Sequence, residues 1–250
     1  MANFFKSIID KAMNVQFPTK LTCNLCGREV FRQENFCADC EKEFTYIENV
    51  YCDTCGRKQL KPVSACASCK GWQVDKARSV FEYLGGAAKL IKQLKYDGKK
   101  YLADIMGEYM AKIYVNNFFA PDIITFVPMT DKEQFSRGFN HSLALAEGLA
   151  KIVDNEVIDL FIKKFDTKNQ AGLTLEERQK NLKDSFGLID KKFVKDKKVL
   201  ITDDVLTTGA TSGELAGLLK ESGAKSVYLL TFASVSSDIL LGRNKNREEQ

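Results

Sequence analysis

Eight cysteines and a single histidine, His141, set the first chemical limits on this 250-residue chain. The cysteines come as four Cys-x-x-Cys pairs: Cys23/Cys26, Cys37/Cys40, Cys52/Cys55 and Cys66/Cys69. Each such turn places two thiolates on one knuckle, and two knuckles complete a tetrahedral four-sulfur shell of the kind that holds structural zinc. The last four cysteines repeat the first four at a constant displacement, down to Cys26-Gly27-Arg28 against Cys55-Gly56-Arg57. A tandem repeat favours one site per unit, Cys23, Cys26, Cys37 and Cys40 forming one and Cys52, Cys55, Cys66 and Cys69 the other. Cross-braced pairing of alternate turns stays open at this stage, and an iron–sulfur cluster uses the same ligand type. Four thiolates leave no open coordination position, so two structural Zn²⁺ ions are expected. A Ser-His-Asp or Cys-His nucleophile would have to run through His141 alone.

A second stretch carries chemistry of a different kind. Val199-Leu200-Ile201-Thr202 is followed by Asp203-Asp204-Val205-Leu206 and then Thr207-Thr208-Gly209-Ala210-Thr211. A β-rich apolar run delivers two acids, and a Thr/Gly loop then opens an amphipathic helix. The loop amides, the threonine hydroxyls and the positive end of the helix dipole make a phosphate cradle. Asp203 and Asp204 are unsuited to an anion and suited to ribose hydroxyls or hydrated Mg²⁺. Neither Gly-x₄-Gly-Lys-Ser/Thr nor Gly-x-Gly-x-x-Gly occurs, which removes the competing phosphate motifs.

The elements that must position these residues follow from hydrophobic patterning. All eight cysteines lie between Cys23 and Cys69, so composition marks a boundary near residue 75. The segment before it has few apolar residues, among them Leu25, Val30, Phe31, Phe36, Phe44 and Tyr46. Such a core is too small to fold unaided, whereas structural zinc supplies about 10–16 kcal/mol of apparent binding free energy in finger peptides. Phe4, Phe5, Ile8, Ile9, Ala12 and Met13 recur at helical spacing and predict an amphipathic helix that packs on the domain behind it. Beyond Arg78, strands are expected over Ser79–Leu84, Asp122–Val127, Val157–Lys163, Val199–Thr202 and Ser226–Phe232. Helices are expected over Ala87–Leu94, Tyr101–Asn117, Ser142–Val153 and Thr211–Ser222. That alternation predicts an α/β domain with an open, mostly parallel sheet, whose ligands bind beyond the carboxyl ends of the strands. The expected organisation is a helix over 1–20, a double four-Cys zinc module over 21–75, the α/β domain over 76–240 and a polar tail over 241–250.

The Asp-Asp/Thr-Thr-Gly-x-Thr segment resembles the phosphoribosyl pyrophosphate (PRPP) signature of type I phosphoribosyltransferases. Three further segments occur here in the same order as in the ComF family of bacterial competence proteins. They are Ile91-Lys92-Gln93-Leu94-Lys95-Tyr96-Asp97-Gly98, Val127-Pro128-Met129 with Arg137-Gly138-Phe139-Asn140, and Gln170 through Arg178 and Asn181 to Phe186. That family places a cysteine-rich zinc module before a phosphoribosyltransferase domain. The resemblance spans Leu21 to Phe232 and implies that Asp203 and Asp204 meet the ribose of PRPP, with Mg²⁺, while Thr207, Thr208, Gly209, Ala210 and Thr211 hold its 5′-phosphate. It implies that Lys95 and Tyr96 hold pyrophosphate, that Arg137 and Asn140 line the same cleft, and that Gln170, Arg178 and Asn181 lie on a loop that closes over substrate. If transfer chemistry occurs, Asp203, Asp204 and Lys95 are the catalytic candidates. His141 stands where family members often carry Gln, which favours a site-lining or capping role.

The implied function is a ComF-type competence protein that binds PRPP and assists uptake or handling of single-stranded DNA in natural transformation. The alternative is an active phosphoribosyltransferase of nucleobase or nucleotide metabolism, although no clear base-recognition segment is evident. The formal charge of +4 falls to zero once eight thiolates hold two zinc ions, so attraction to DNA must come from local patches. Lys76–Tyr101 holds seven Lys/Arg against two acids and Lys163–Lys198 eleven against six, with Tyr83, Tyr96 and Tyr101 interleaved in the first. Basic surface with exposed aromatics suits phosphate tracking and base stacking; a solvated helix face explains the same residues. The N-terminus lacks a basic leader with a long apolar core, and no apolar run approaches the ~20 residues needed to span a bilayer. A cytoplasmic, not transmembrane, protein is expected, with other competence proteins at the inner membrane face as further partners.

Overall fold

The computed structural model describes residues 22–30, 34–69, 71–118, 120–164 and 185–240. The expected helix over 1–20, the tail over 241–250 and the segment carrying Gln170, Arg178 and Asn181 lie outside the described residues. The chain forms two compact units, Met1–Phe44 and Thr45–Gln250. The cysteine boundary and the compact-unit boundary therefore mark different things: the second four-Cys cluster folds together with the α/β sheet.

In the first unit, the described secondary structure is one antiparallel bridge, Thr22 to Glu29, and the short helix α1 (Ala38–Glu41). Among the described residues its apolar interior comprises Leu25, Val30, Phe36 and Phe44, with the Phe36 and Phe44 rings 4.8 Å apart. Around the few apolar side chains that these described residues bury, metal ligation is a main source of folding free energy.

The larger unit is built on four parallel strands in the order β1 (Lys76–Glu82), β6 (Ser226–Ser234), β5 (Lys198–Leu206), β2 (Ile123–Phe126). Val199, Leu200 and Ile201 are all fully buried, as a strand covered on both faces requires. Helix α2 (Gly85–Tyr96) and helix α3 (Leu102–Asn117) follow β1, helix α5 (His141–Val153) follows β2, and helix α6 (Ala210–Glu221) connects β5 to β6. The short helix α7 (Ser237–Leu240) follows β6. Helix α3 buries Leu102, Ile105, Met106 and Met110, the 3–4 spacing of one helical face.

The structure departs from the sequence expectation in two places that matter for the site. Strand β5 runs through Leu206, so Asp203 and Asp204 belong to the strand rather than to the loop after it. An additional helix, α4 (Asp131–Arg137), precedes α5 without burying any residue. Hydrophobic periodicity could not reveal it, because a capping box starts it: Glu133 N donates to Thr130 Oγ1 at 3.2 Å and Thr130 N to Glu133 Oε2 at 3.1 Å. Gly138 ends it in the left-handed conformation at φ 81°. Of the strand expected over Val157–Lys163, Val157 bridges Ile124 and only β3 (Phe161–Lys163) is regular, pairing antiparallel with β4 (Phe186–Leu188).

Helices α3 and α5 approach each other backbone to backbone at Gly107 and Gly148. A Cβ on Gly107 would fall 2.5 Å from the Gly148 carbonyl carbon, and one on Gly148 would collide with the Ala103 carbonyl. Since α5 begins at the site, this crossing fixes the height of His141 and Ser142. Gly148→Ala is expected to lower stability by about 1–3 kcal/mol, as overpacking does, read as a lower melting temperature. An unchanged melting temperature would contradict the close crossing.

Candidate functional site

Two four-sulfur clusters form, each from one repeat: Cys23, Cys26, Cys37 and Cys40, and Cys52, Cys55, Cys66 and Cys69. Within the second, sulfur separations are 3.6 Å (Cys52–Cys69), 3.5 Å (Cys55–Cys66) and 3.7 Å (Cys66–Cys69). In the first, Cys26 and Cys37 stand 3.8 Å apart. Tetrahedral zinc with Zn–S near 2.3 Å requires sulfurs about 3.8 Å apart, so both donor sets fit the ion in chemistry and spacing. No cysteine is in a disulfide. The pairing is sequential, and the alternate cross-braced arrangement is excluded. Both knuckles are built alike: Gly27 N and Gly56 N donate to the Cys23 and Cys52 carbonyls, each at 2.8 Å. Both glycines are left-handed, at φ 77° and 68°, which is why glycine stands after the second cysteine. The Arg28 backbone amide and guanidinium pull the Cys26 thiol down to about 6, which favours the thiolate that a metal needs.

The second site stands at the carboxyl end of β5. Asp203 Oδ1 accepts from Ser142 Oγ at 2.8 Å and from the Asp204 amide at 2.9 Å. Asp204 is paired with Lys95 from the last turn of α2, and His141 Nε2 lies 3.7 Å from its Oδ1. Together, Lys95, Val127, Pro128, Met129, Glu133, Arg137, His141, Ser142, Lys163, Asp203 and Asp204 line a cleft of about 190 Å³. Three elements thus converge: α2 brings the lysine, the start of α5 brings His141 and Ser142, and β5 brings the acids. His141, Asp203 and Asp204 present donor atoms within 4.8 Å of one another, a geometry open to a cation.

Burying so much charge splits the carboxylates. Burial and the neighbouring Asp204 push Asp203 up to about 7. Burial also opposes charge on Asp204, but Lys95 and His141 hold it below the ordinary carboxylate range. Burial presses His141 down to about 4, with Lys95 and Arg137 adding to the effect against the pull of Asp204. His141 is therefore neutral near pH 7, and Lys95 is the cation that compensates Asp204.

The remaining expected residues fall as follows. Thr207 and Thr208 are exposed immediately after β5, and Gly209, at φ 84°, is the N-cap of the twelve-residue helix α6. The Ala210 amide donates to Thr208 Oγ1 at 3.3 Å. Arg137 lines the cleft and sets its guanidinium 5.5 Å from the centre of the Tyr96 ring. Tyr96 is 70% exposed, outside the cleft wall. Asn140 is buried and committed to structure: its side-chain oxygen accepts from Ser142 N and Leu143 N, and its amide donates to the Val127 carbonyl at 3.1 Å. Capping falls to Asn140, and His141 lines the site.

Ser142, Glu133 and Lys163 also belong to the cleft and escaped the sequence reading. The segment Asn140-His141-Ser142 at a helix start was the available signal for Ser142. Lys163 pairs with Glu133 at 2.8 Å, a contact with no sequence signature. Most unexpected are Arg57 and Trp72 from the cysteine-rich part. The Arg57 guanidinium donates to the Thr207 carbonyl, and the Trp72 indole lies where a Cβ on Gly209 would have to go.

Comparison with known proteins now bears on this arrangement. Residues 12–70 match the double zinc ribbon domain and residues 140–247 the phosphoribosyl transferase domain. The chain is 26% identical to Competence protein F of Haemophilus influenzae over 92% of its own length and 97% of that protein's. It is 28% identical to Competence protein ComFC of Streptococcus pneumoniae, covering 83% of this chain and 97% of the other. Its homologues thus include proteins named Competence protein F and ComFC. The DNA utilization protein YhgH of Escherichia coli is also 28% identical, over 83% of this chain and 87% of that one. Among solved structures, the chain is similar to a B. subtilis glutamine PRPP amidotransferase, with 19% identity and a TM-score of 0.38 over 52% of this chain and 26% of that one. By its two domain matches the chain joins a double zinc ribbon, with its two Cys₄ sites, to a phosphoribosyltransferase-type parallel sheet. No helix among the described residues is long and apolar enough to cross a membrane.

Two measurements test this description. Elemental analysis should return about two zinc ions per chain, falling to about one in Cys26→Ser; one or none in the wild type would contradict the four-sulfur assignment. For Asp203, the folded protein holds a proton up to about 7, whereas the unfolded chain releases it near 3.9. The residue therefore costs stability progressively as pH rises through that window. Without divalent metal, Asp203→Asn should flatten the fall in stability between about pH 4 and 7 and gain on the order of 1 kcal/mol above it. Urea unfolding across that range reads the effect, and an unchanged pH slope would contradict it.

Proposed function

We propose that this ComF homologue serves natural transformation by binding PRPP at the end of β5 and by handling single-stranded DNA. The observation that carries the PRPP reading is the order of parts along one strand end: an acid pair of which Asp204 is buried and Asp203 partly so, a cation on it from α2, then a Thr/Gly turn opening a twelve-residue helix. Backbone amides at the start of α6 and the hydroxyls of Thr207, Thr208 and Thr211 would receive the 5′-phosphate. Asp203 and Asp204 would accept from the ribose hydroxyls and, with the cleft's other oxygen donors, hold Mg²⁺, which when bound neutralises the pyrophosphate. Lys95 is already stationed on Asp204 and would turn to the pyrophosphate oxygens as the acids engage ribose and metal. Arg137 flanks the same space.

The nucleic-acid part rests on surface chemistry and on the names of the relatives, Competence protein F, ComFC and DNA utilization protein. Tyr96 and Tyr101 are 70% and 53% exposed, and a guanidinium over Tyr96 makes a stacking platform that tolerates any base. The basic stretch is narrower than its composition implied. Lys76 donates to the Asn117 carbonyl at 2.7 Å, and Arg78 is buried on Tyr51 and on the Asp53 carbonyl.

A second reading, transfer of the phosphoribosyl group to an acceptor, is favoured by one feature. A cavity of about 640 Å³ lined by Phe126, Met129, Leu143, Phe161 and Lys163 shares Met129 and Lys163 with the acid-pair cleft, a size suited to a small molecule. In that reaction pyrophosphate leaves C1 of ribose as a nitrogen nucleophile bonds to it.

Titration calorimetry with PRPP and Mg²⁺ should show binding by the wild type and at least a tenfold loss in the Asp203→Ala/Asp204→Ala double variant, about 1.4 kcal/mol or more. Single-stranded DNA binding should weaken steeply with salt. Equal PRPP affinity in the two proteins would sink the site assignment. Pyrophosphate release on adding nucleobases would favour the transferase reading.

A further inference from the structure

The two repeats carry the same Cys-Gly-Arg knuckle, yet their arginines have opposite fates. Arg28 is a surface residue whose ion pair with Asp39, at 3.0 Å, is mostly exposed. Arg57 is completely buried. Its carbonyl accepts from Cys52 N at 2.9 Å, tying it to the second metal knuckle. Its guanidinium stands 5.4 Å from the centre of the Trp72 ring and donates through Nη2 to the Thr207 carbonyl. Its Nε and Nη1 are buried without a hydrogen-bond partner. Trp72 follows Cys69 closely, its amide bonded to the Cys69 carbonyl at 3.2 Å, and its indole occupies the space beside Gly209. A further tie joins this ribbon to the start of α7: Gln59 Nε2 bonds Ser237 Oγ at 2.5 Å, and Ser237 Oγ lies 3.9 Å from Cys66 Sγ.

A fully buried guanidinium needs a compensating anion. Four thiolates around one Zn²⁺ carry a formal charge of −2, and the nearest such group in sequence is the cluster containing Cys55, two residues away. An anion-binding loop also needs its carbonyls turned aside so that its amides are free to donate. Arg57 takes the Thr207 carbonyl, and Trp72 restricts Gly209.

We infer that the second zinc ribbon is a brace for the phosphate-binding loop, in which Arg57 and Trp72 are positioning residues and filling of the Cys52/Cys55/Cys66/Cys69 site sets PRPP affinity. The first ribbon, whose arginine faces solvent, has no such role. The inference rests on the PRPP reading above and adds to it a metal dependence that the loop's own residues do not show.

The test uses full-length protein and PRPP with Mg²⁺, read by calorimetry, with zinc content measured on every sample. Arg57→Met keeps the bulk and removes the charge and donors; it should retain two zinc ions yet bind PRPP at least tenfold more weakly. Arg57→Lys, which keeps a donor for the Thr207 carbonyl, should recover part of that loss. Cys66→Ser should weaken PRPP binding, whereas Cys26→Ser, which empties the other ribbon, should leave it within about twofold of wild type; this pair decides the matter if Arg57→Met does not fold. Wild-type affinity in a two-zinc Arg57→Met protein, or equal losses in Cys26→Ser and Cys66→Ser, would overturn the brace while leaving PRPP binding intact. Absence of PRPP binding by the wild type would overturn both.

Discussion

Charge buried at the end of β5 is the constraint around which the larger unit is organised. Two adjacent carboxylates in a strand interior cannot both remain ionised without a cation and hydrogen-bond donors. The fold supplies Lys95 to Asp204 and the Ser142 hydroxyl to Asp203. Meeting that demand fixes the length of α2, which must end beside the strand, and the start of α5, which Asn140 sets by capping. The close crossing of α3 and α5 at Gly107 and Gly148 then holds α5 at the required height. Without ligand the acid pair is a cluster with one carboxylate held toward its neutral form, and a cation bound there would favour release of that proton.

Metal plays the complementary part in the cysteine-rich region. A segment with so few buried side chains gains its structure from ligation, and identical knuckles put the same Cys-Gly-Arg turn to two uses. In the first repeat the arginine lowers the thiol of Cys26 and meets Asp39 in solvent. In the second it is sealed beneath Trp72 against the loop that follows the acid pair. The compact-unit boundary at Phe44/Thr45 follows from this difference, since the second ribbon shares its packing with the sheet.

Sequence made the four-sulfur sites, the parallel sheet and the acid–threonine segment legible, because each rests on short-range spacing: Cys-x-x-Cys, apolar runs, and acids adjoining a Thr/Gly turn. It did not reveal α4, whose residues bury nothing and whose start depends on the Thr130–Glu133 capping box. Nor did it show that Asn140 is consumed by capping, or that Lys76 and Arg78 are turned inward. The partners of Arg57 and Lys163 are the hardest case. Thr207 stands far along the chain from Arg57, as does Glu133 from Lys163, and only the tertiary fold brings them together. In the repeat itself, Arg28 and Arg57 are indistinguishable.

The central claim is that the end of β5 is a PRPP site, with phosphate on the loop and ribose on the acids. A crystal structure of the full chain with PRPP and Mg²⁺ tests it most directly. The account predicts the 5′-phosphate on the amides of Thr208 to Thr211 and the ribose hydroxyls against Asp203 and Asp204, with the Lys95 ammonium moved from Asp204 to pyrophosphate. PRPP bound elsewhere, or with its 5′-phosphate away from the start of α6, would contradict it.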